Sequence, residues 1–114
     1  MSTRALITIK GCEHAIYKHC DGYPDGILPW LKPIVAAFHK ERGDDPSYLL
    51  AQIVRQYVFS HENKADDTNR LLAFKFTGWG IVGPNDDLGQ EYEYEIDAKT
   101  GKIKVITINS EEEN

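Results

Sequence analysis

Two helix-length apolar stripes stand back to back in the middle of this chain, and strand-like alternation lies on both sides of them. That arrangement constrains the fold more than any other feature. Leu31, Ile34, Val35 and Phe38 recur at i, i+3, i+4 and i+7, one face of a helix. Leu49, Leu50, Ile53, Val54 and Tyr57 form a second stripe that runs to about Ser60. Pro33 is tolerable only close to a helix start, so the first helix is expected to begin near Pro29 or Trp30 and to end at Gly43. Asp45 before Pro46 is an N-cap and N1 pair for the second helix. Because the helices are consecutive and not interleaved with strands, the pattern favours α+β over a doubly wound fold.

The flanks supply the strands. Residues 3–10 set Ala5, Ile7 and Ile9 against Thr8 and Lys10, with β-branched residues that suit a pleated surface. A turn at 11–13 leads to a returning strand over 15–20, and 21–26 carry two Asp/Gly sets around a proline. Residues 61–70 read as a polar, exposed connection. Residues 71–77, with Phe74 and Phe76, read as a strand that can run on through Trp79 to Val82. Gly78 and Gly80 mark a bend there. Tyr92, Tyr94 and Ile96 alternate with Glu91, Glu93 and Glu95, a half-buried antiparallel strand whose glutamates form a solvated face. Asp97 to Gly101 is a hairpin turn, and 102–109 alternate again with Ile103, Val105 and Thr107 on one side. The expected architecture is one α+β domain over 1–109, in the order ββααβββ. It has a mainly antiparallel sheet of about five strands and two helices packed on one face. Residues 110–114 are expected to be an acidic disordered tail. An uncovered second sheet face would favour a homo-oligomer.

Composition narrows the partners. A chain of 114 residues is one domain's worth, and its net charge of -5 disfavours non-specific binding to nucleic acid or anionic lipid. No apolar run approaches the roughly 20 residues of a membrane helix, and the opening residues lack a signal-peptide core. Two cysteines, Cys12 and Cys20, are too few for a disulfide scaffold, so the expected location is the cytoplasm. Cys12, His14, His19, Cys20 and Asp21 invite a zinc reading. However, Cys12 and His14 are too close in sequence, and His14 and His19 fall on opposite faces of a strand. No metal and no cofactor are expected.

Catalytic signatures are missing: no phosphate loop, no dinucleotide fingerprint, no nucleophile elbow and no zinc-protease helix. No catalytic residue is therefore assigned. The densest polar and aromatic segment is Tyr17-Lys18-His19-Cys20-Asp21-Gly22-Tyr23-Pro24-Asp25-Gly26. As a binding loop, it offers rings that stack on a flat group and polar groups that hydrogen-bond it. As a structural turn, Asp21 makes an Asx-turn, Tyr23 packs on the core and Pro24 ends the strand. Both readings can hold, because binding residues often ride on capped loops. Trp79 and Asn85, the latter followed by Asp86 and Asp87, form a second candidate, or else a core tryptophan and a solvated turn. Arg55 on the second helix can meet a phosphate or a surface carboxylate. The candidate ligand-binding set is Tyr17, His19, Asp21, Tyr23, Arg55, Trp79 and Asn85. Tyr17, Tyr23 and Trp79 would stack a base, and Arg4, Lys18, Arg55 and Lys75 would neutralise phosphates.

The opening Met1-Ser2-Thr3-Arg4 and the Asp21-Gly22-Tyr23-Pro24 segment, with Tyr17 ahead and Gly26 behind, together resemble a class of small phage and prophage proteins. These open with M-[SG]-T-R and carry Y-x-x-x-D-G-Y-P-x-G. The resemblance covers about the first 26 residues. Within that class the chain is similar to the Thoeris anti-defence proteins, which sequester a cyclic ADP-ribose isomer. The resemblance implies a non-catalytic binding protein for a nucleotide-derived signal, acting in the host cytoplasm, and transfers no ligand residue by position. Two alternatives stand beside it. One is an acidic inhibitor that binds a host defence protein, motivated by the net charge and by Glu111, Glu112 and Glu113. The other is a small hydrolase using His19 and Asp21, which as neighbours two apart on a strand would face the same way.

Overall fold

The computed structural model describes residues 3–19, 21–61 and 79–108. The expected connection at 62–70, strand at 71–77 and tail at 110–114 lie outside them. In chain order the elements are β1 (Ala5–Ile9), β2 (Ala15–Lys18), α1 (Pro24–Arg42), α2 (Pro46–His61), β3 (Trp79–Val82), β4 (Tyr92–Asp97) and β5 (Lys102–Thr107). The five strands form one sheet in the order β3-β2-β1-β4-β5. Among the described residues, no helix is long and apolar enough to cross a membrane.

α1 starts at Pro24, earlier than expected, and runs through both Pro29 and Pro33. The earlier turn adds Ile27 to the stripe, so Ile27, Leu31, Val35 and Phe38 are buried together. Pro29 and Pro33 lie on the exposed side. The carbonyls they leave unpaired, on Asp25 and Pro29, therefore sit on residues at the water-facing side, where solvent can satisfy them. Gly43 ends the helix with φ 71°, and its N–H donates to the His39 carbonyl at 2.9 Å. α2 begins at Pro46 as the Asp45-Pro46 pair predicts, and its first turn closes with Leu49 N–H on the Asp45 carbonyl at 3.0 Å.

Both helices contribute to one core. Ala5, Ile7, Ile9, Ile16, Tyr94 and Ile96 from the sheet meet Ile27, Leu31, Val35, Phe38, Leu49 and Ile53 from the helices. Each fully buried Ile or Leu contributes about 1.5–3 kcal/mol relative to an exposed one. Tyr94 and Ile96 are buried on the helix-facing side of β4 as expected, whereas Glu93 and Glu95 are half-buried and not on the solvated face expected for them.

The sheet is mixed, which corrects the expectation of a mainly antiparallel one. β1 pairs antiparallel with β2 but parallel with β4, in register from Ala5 opposite Tyr92 to Ile9 opposite Ile96. Alternation within a strand reports which face is buried and says nothing about which strand lies alongside. β1 is buried at four of its five positions, as a central strand covered on both faces must be.

The second sheet face is also less open than expected, because Leu6 and Ala15 are fully buried on it. β3 and β4 run parallel to each other, on opposite sides of the β2–β1 pair. The 83–91 connection must therefore cross a face. Arg4 Nη1 donates to the Leu88 carbonyl at 3.1 Å, and Gln90 Nε2 donates to Glu93 Oε2 at 3.1 Å. Both bonds place the crossing on the face away from the helices, over the Leu6 side.

Candidate functional site

The β2–α1 corner brings the first candidates together. Tyr17 and His19 leave β2 side by side: the Tyr17 hydroxyl and His19 Nδ1 are 2.9 Å apart, and the ring centroids are 6.1 Å apart at 58°. With the imidazole neutral and protonated on Nε2, the hydroxyl donates to Nδ1. His19 Nδ1 is thus held by Tyr17 and not by Asp21.

The turn that follows is built from backbone. Asp21 takes a left-handed φ of 58°. Gly22 N–H donates to the Thr3 carbonyl at 2.9 Å, and the buried Tyr94 hydroxyl donates to the Gly22 carbonyl at 2.6 Å. A Cβ on Gly22 would stand 2.6 Å from Ala5 Cβ and 2.8 Å from the Thr3 carbonyl oxygen, so only glycine fits. These bonds hold the corner in place of the Asx-turn expected at Asp21. Tyr23 caps α1 with its carbonyl, which accepts from Gly26 and Ile27. Its ring is 42% exposed, which removes the expectation that it packs on the core. Burial raises the Tyr94 phenol above its ordinary range, and the neighbouring Tyr92 adds to the effect.

The other candidates are spread over β3, the turn after it and α2. Trp79 stands opposite Lys18 across β2–β3, at the corner's end of the sheet, but its side chain lies outside the described residues. Asn85 is exposed, in a turn closed by Asp86 N–H on the Gly83 carbonyl at 3.2 Å and by Gly83 N–H on Asp86 Oδ2 at 3.0 Å. That turn follows Val82, which pairs with Ala15, so it lies at the far end of β2 from His19. Arg55 is on the exposed side of α2. Arg4 is committed to the Leu88 carbonyl, Lys18 is buried, and Lys75 and Cys20 lie outside the described residues. Among the described residues, no group of three His, Cys, Asp or Glu side chains could hold a metal ion.

A concave site lies elsewhere. α1 and α2 enclose an open groove of about 480 Å³ lined by Ile34, Phe38, Arg42, Tyr48, Gln52 and Gln56, among others. Helix periodicity makes its walls. Ile34, Phe38 and Arg42 recur every fourth residue on α1, and Tyr48, Gln52 and Gln56 do the same on α2. The Arg42 guanidinium sits 4.5 Å from the Tyr48 ring centroid, and Arg42 Nη2 donates to Asp45 Oδ2 at 3.1 Å. The guanidinium is thus oriented by a ring and a carboxylate while keeping further N–H groups for a ligand. Tyr48 itself is 56% exposed.

Sequence reasoning missed this groove. The signal was present as a polar row, Tyr48, Gln52 and Gln56, beside the apolar stripe of α2. It acquires meaning only when α1 supplies the facing wall. Compared with known proteins, the chain matches no family model, no curated protein and no solved structure.

Proposed function

We propose that this chain is a non-catalytic binding protein that sequesters a nucleotide-derived ligand, with the α1–α2 groove as the receptacle. The observation that carries the reading is the oriented Arg42 beside Tyr48 at a groove of about 480 Å³, a size within the range of small-molecule sites. Ile34 and Phe38 offer an apolar surface to a planar base. Gln52 and Gln56 offer paired carboxamides to its edge, and Arg42 offers charge to a phosphate. The resemblance to small phage proteins that sequester cyclic ADP-ribose isomers sets the first ligands to test, together with cyclic nucleotides.

A second placement of the same ligand is the β2–α1 corner with Tyr17, His19, Asp21 and Tyr23. The Tyr17–His19 bond favours it by presenting two rings in fixed relation.

Calorimetry on the full chain with cyclic nucleotides and cyclic ADP-ribose isomers tests the function. Arg42→Ala and Tyr48→Ala test the groove, and His19→Ala and Tyr23→Ala test the corner. For a stacked base, loss of the ring that carries it is expected to cost about 1–3 kcal/mol of binding. Weakening confined to the first pair supports the groove, and weakening confined to the second moves the site to the corner. Absence of binding by any of these ligands rejects the nucleotide reading. Recovery of altered ligand after denaturation would replace sequestration with catalysis.

A further inference from the structure

We infer that the outer edge of β5 is a self-pairing surface. A second copy of this chain adds its own β5 antiparallel to it, about a twofold axis through Val105, and the two sheets become one.

The hydrogen-bond phase of β5 carries the inference. β5 is the last strand of the sheet, and among the described residues no strand pairs with its outer side. Ile108 N–H donates to the Glu91 carbonyl at 2.8 Å, and the β4–β5 register continues from that pair through Glu93 opposite Ile106 and Glu95 opposite Lys104. In an antiparallel ladder, hydrogen-bonded and non-hydrogen-bonded pairs alternate. Ile106, Lys104 and Lys102 therefore aim their backbone groups at β4, and Ile103, Val105 and Thr107 aim theirs outward. Val105 is also a large apolar side chain left 38% exposed.

The sequence of β5 selects one register with a copy of itself. An axis through Val105 pairs Val105 with the second copy's Val105, and Ile103 with its Thr107. All the outward groups of the strand are then used, in about six hydrogen bonds. On the other face Lys104 meets the second copy's Ile106. An axis moved to Lys104 sets Lys104 directly against Lys104, which is destabilising, and drops a hydrogen-bonded pair. An axis moved to Ile106 also leaves Ile103 without a partner inside the strand. The lysines that would otherwise guard an edge thus specify its register. The fit is to this strand's own sequence, which is why the occupant is a second copy.

Sedimentation velocity and amide hydrogen exchange on the full chain, over a concentration series, test the inference. The expected result is a dimer in which the Ile103, Val105 and Thr107 amides gain at least about tenfold protection as it forms. The Lys104 and Ile106 amides, already bonded to β4, should change little. Val105→Pro removes an outward N–H and spares the bonds to β4, while Val105→Lys places like charges on the axis. Each is expected to give a folded monomer by circular dichroism, and Val105→Lys decides if the proline variant does not fold. A monomer at every concentration up to about 1 mM overturns the inference. So does a folded Val105→Lys that still dimerises, or a dimer in which the three outward amides exchange as freely as in the monomer.

Discussion

Tyr94 reaches from the centre of the sheet to hold the turn that opens α1. Its hydroxyl is the donor to the Gly22 carbonyl, at 2.6 Å and fully buried. Tyr94→Phe keeps the ring and leaves that carbonyl unsatisfied, so a loss of about 1–3 kcal/mol in urea unfolding is expected. The same phenol gives a pH dependence. Burial raises its folded-state pKa above the ordinary tyrosine value of about 10, so the folded protein holds the proton more tightly than the unfolded chain. The stabilisation is fully present below about pH 10 and is lost as pH rises through the raised folded value. Melting temperature should therefore fall on the alkaline side of pH 10, and Tyr94→Phe should flatten that fall. Gly22→Ala acts on the same contact from the other side. Its Cβ would meet Ala5 on β1 and the Thr3 carbonyl just before it, and a loss of at least about 1–3 kcal/mol is expected by the same measurement.

At the scale of elements, α1 shows burial overriding local preference. Two prolines sit inside the helix because Ile27, Leu31, Val35 and Phe38 all gain by continuing it. Proline in a helix interior is about 3 kcal/mol less favourable than alanine, and proline recovers roughly 0.4–1 kcal/mol by restricting the unfolded chain. Pro29→Ala, on the exposed side, should thus raise stability by about 2 kcal/mol, read as a higher urea midpoint with an unchanged slope. The β4–β5 hairpin is the opposite case, where local chemistry sufficed. The Asp97 carboxylate accepts from Lys99 N–H at 3.0 Å, Gly101 takes φ 78°, and the strands pair from Asp97 opposite Lys102 onward. His39 then ties the turn to α1, with Nε2 3.0 Å from the Lys99 carbonyl.

For the molecule as a whole, the sheet is buried on both faces at its centre, and the 83–91 segment crosses the face that carries Leu6. Leu6 lies beneath that crossing side and is fully buried, apart from the helix-facing core. Leu6→Ala should cost about 2–5 kcal/mol, as for a residue of the main core. If Leu6 packed against solvent, as an open face requires, the change would fall within about 0.5 kcal/mol. Thermal unfolding of this single variant distinguishes the two arrangements.

What depends on neighbours along the chain was legible before folding: two amphipathic helices, the Asp45-Pro46 start, the Asp97–Gly101 turn, and the buried faces of β1 and β4. The sequence also singled out the Asp21-Gly22-Tyr23-Pro24 corner, whose glycine proves indispensable for packing and whose tyrosine is exposed. Beyond the β1–β2 and β4–β5 hairpins, the tertiary structure alone decided which strands lie side by side. It set β4 parallel against β1, because alternation is the same whichever neighbour a strand has. It also decided where concavity lies. Arg42, Tyr48, Gln52 and Gln56 read singly as surface residues, and they become a site only when two helices set their rows face to face. Periodicity encodes the face of an element, whereas a groove or a sheet order is a relation between elements far apart in the chain.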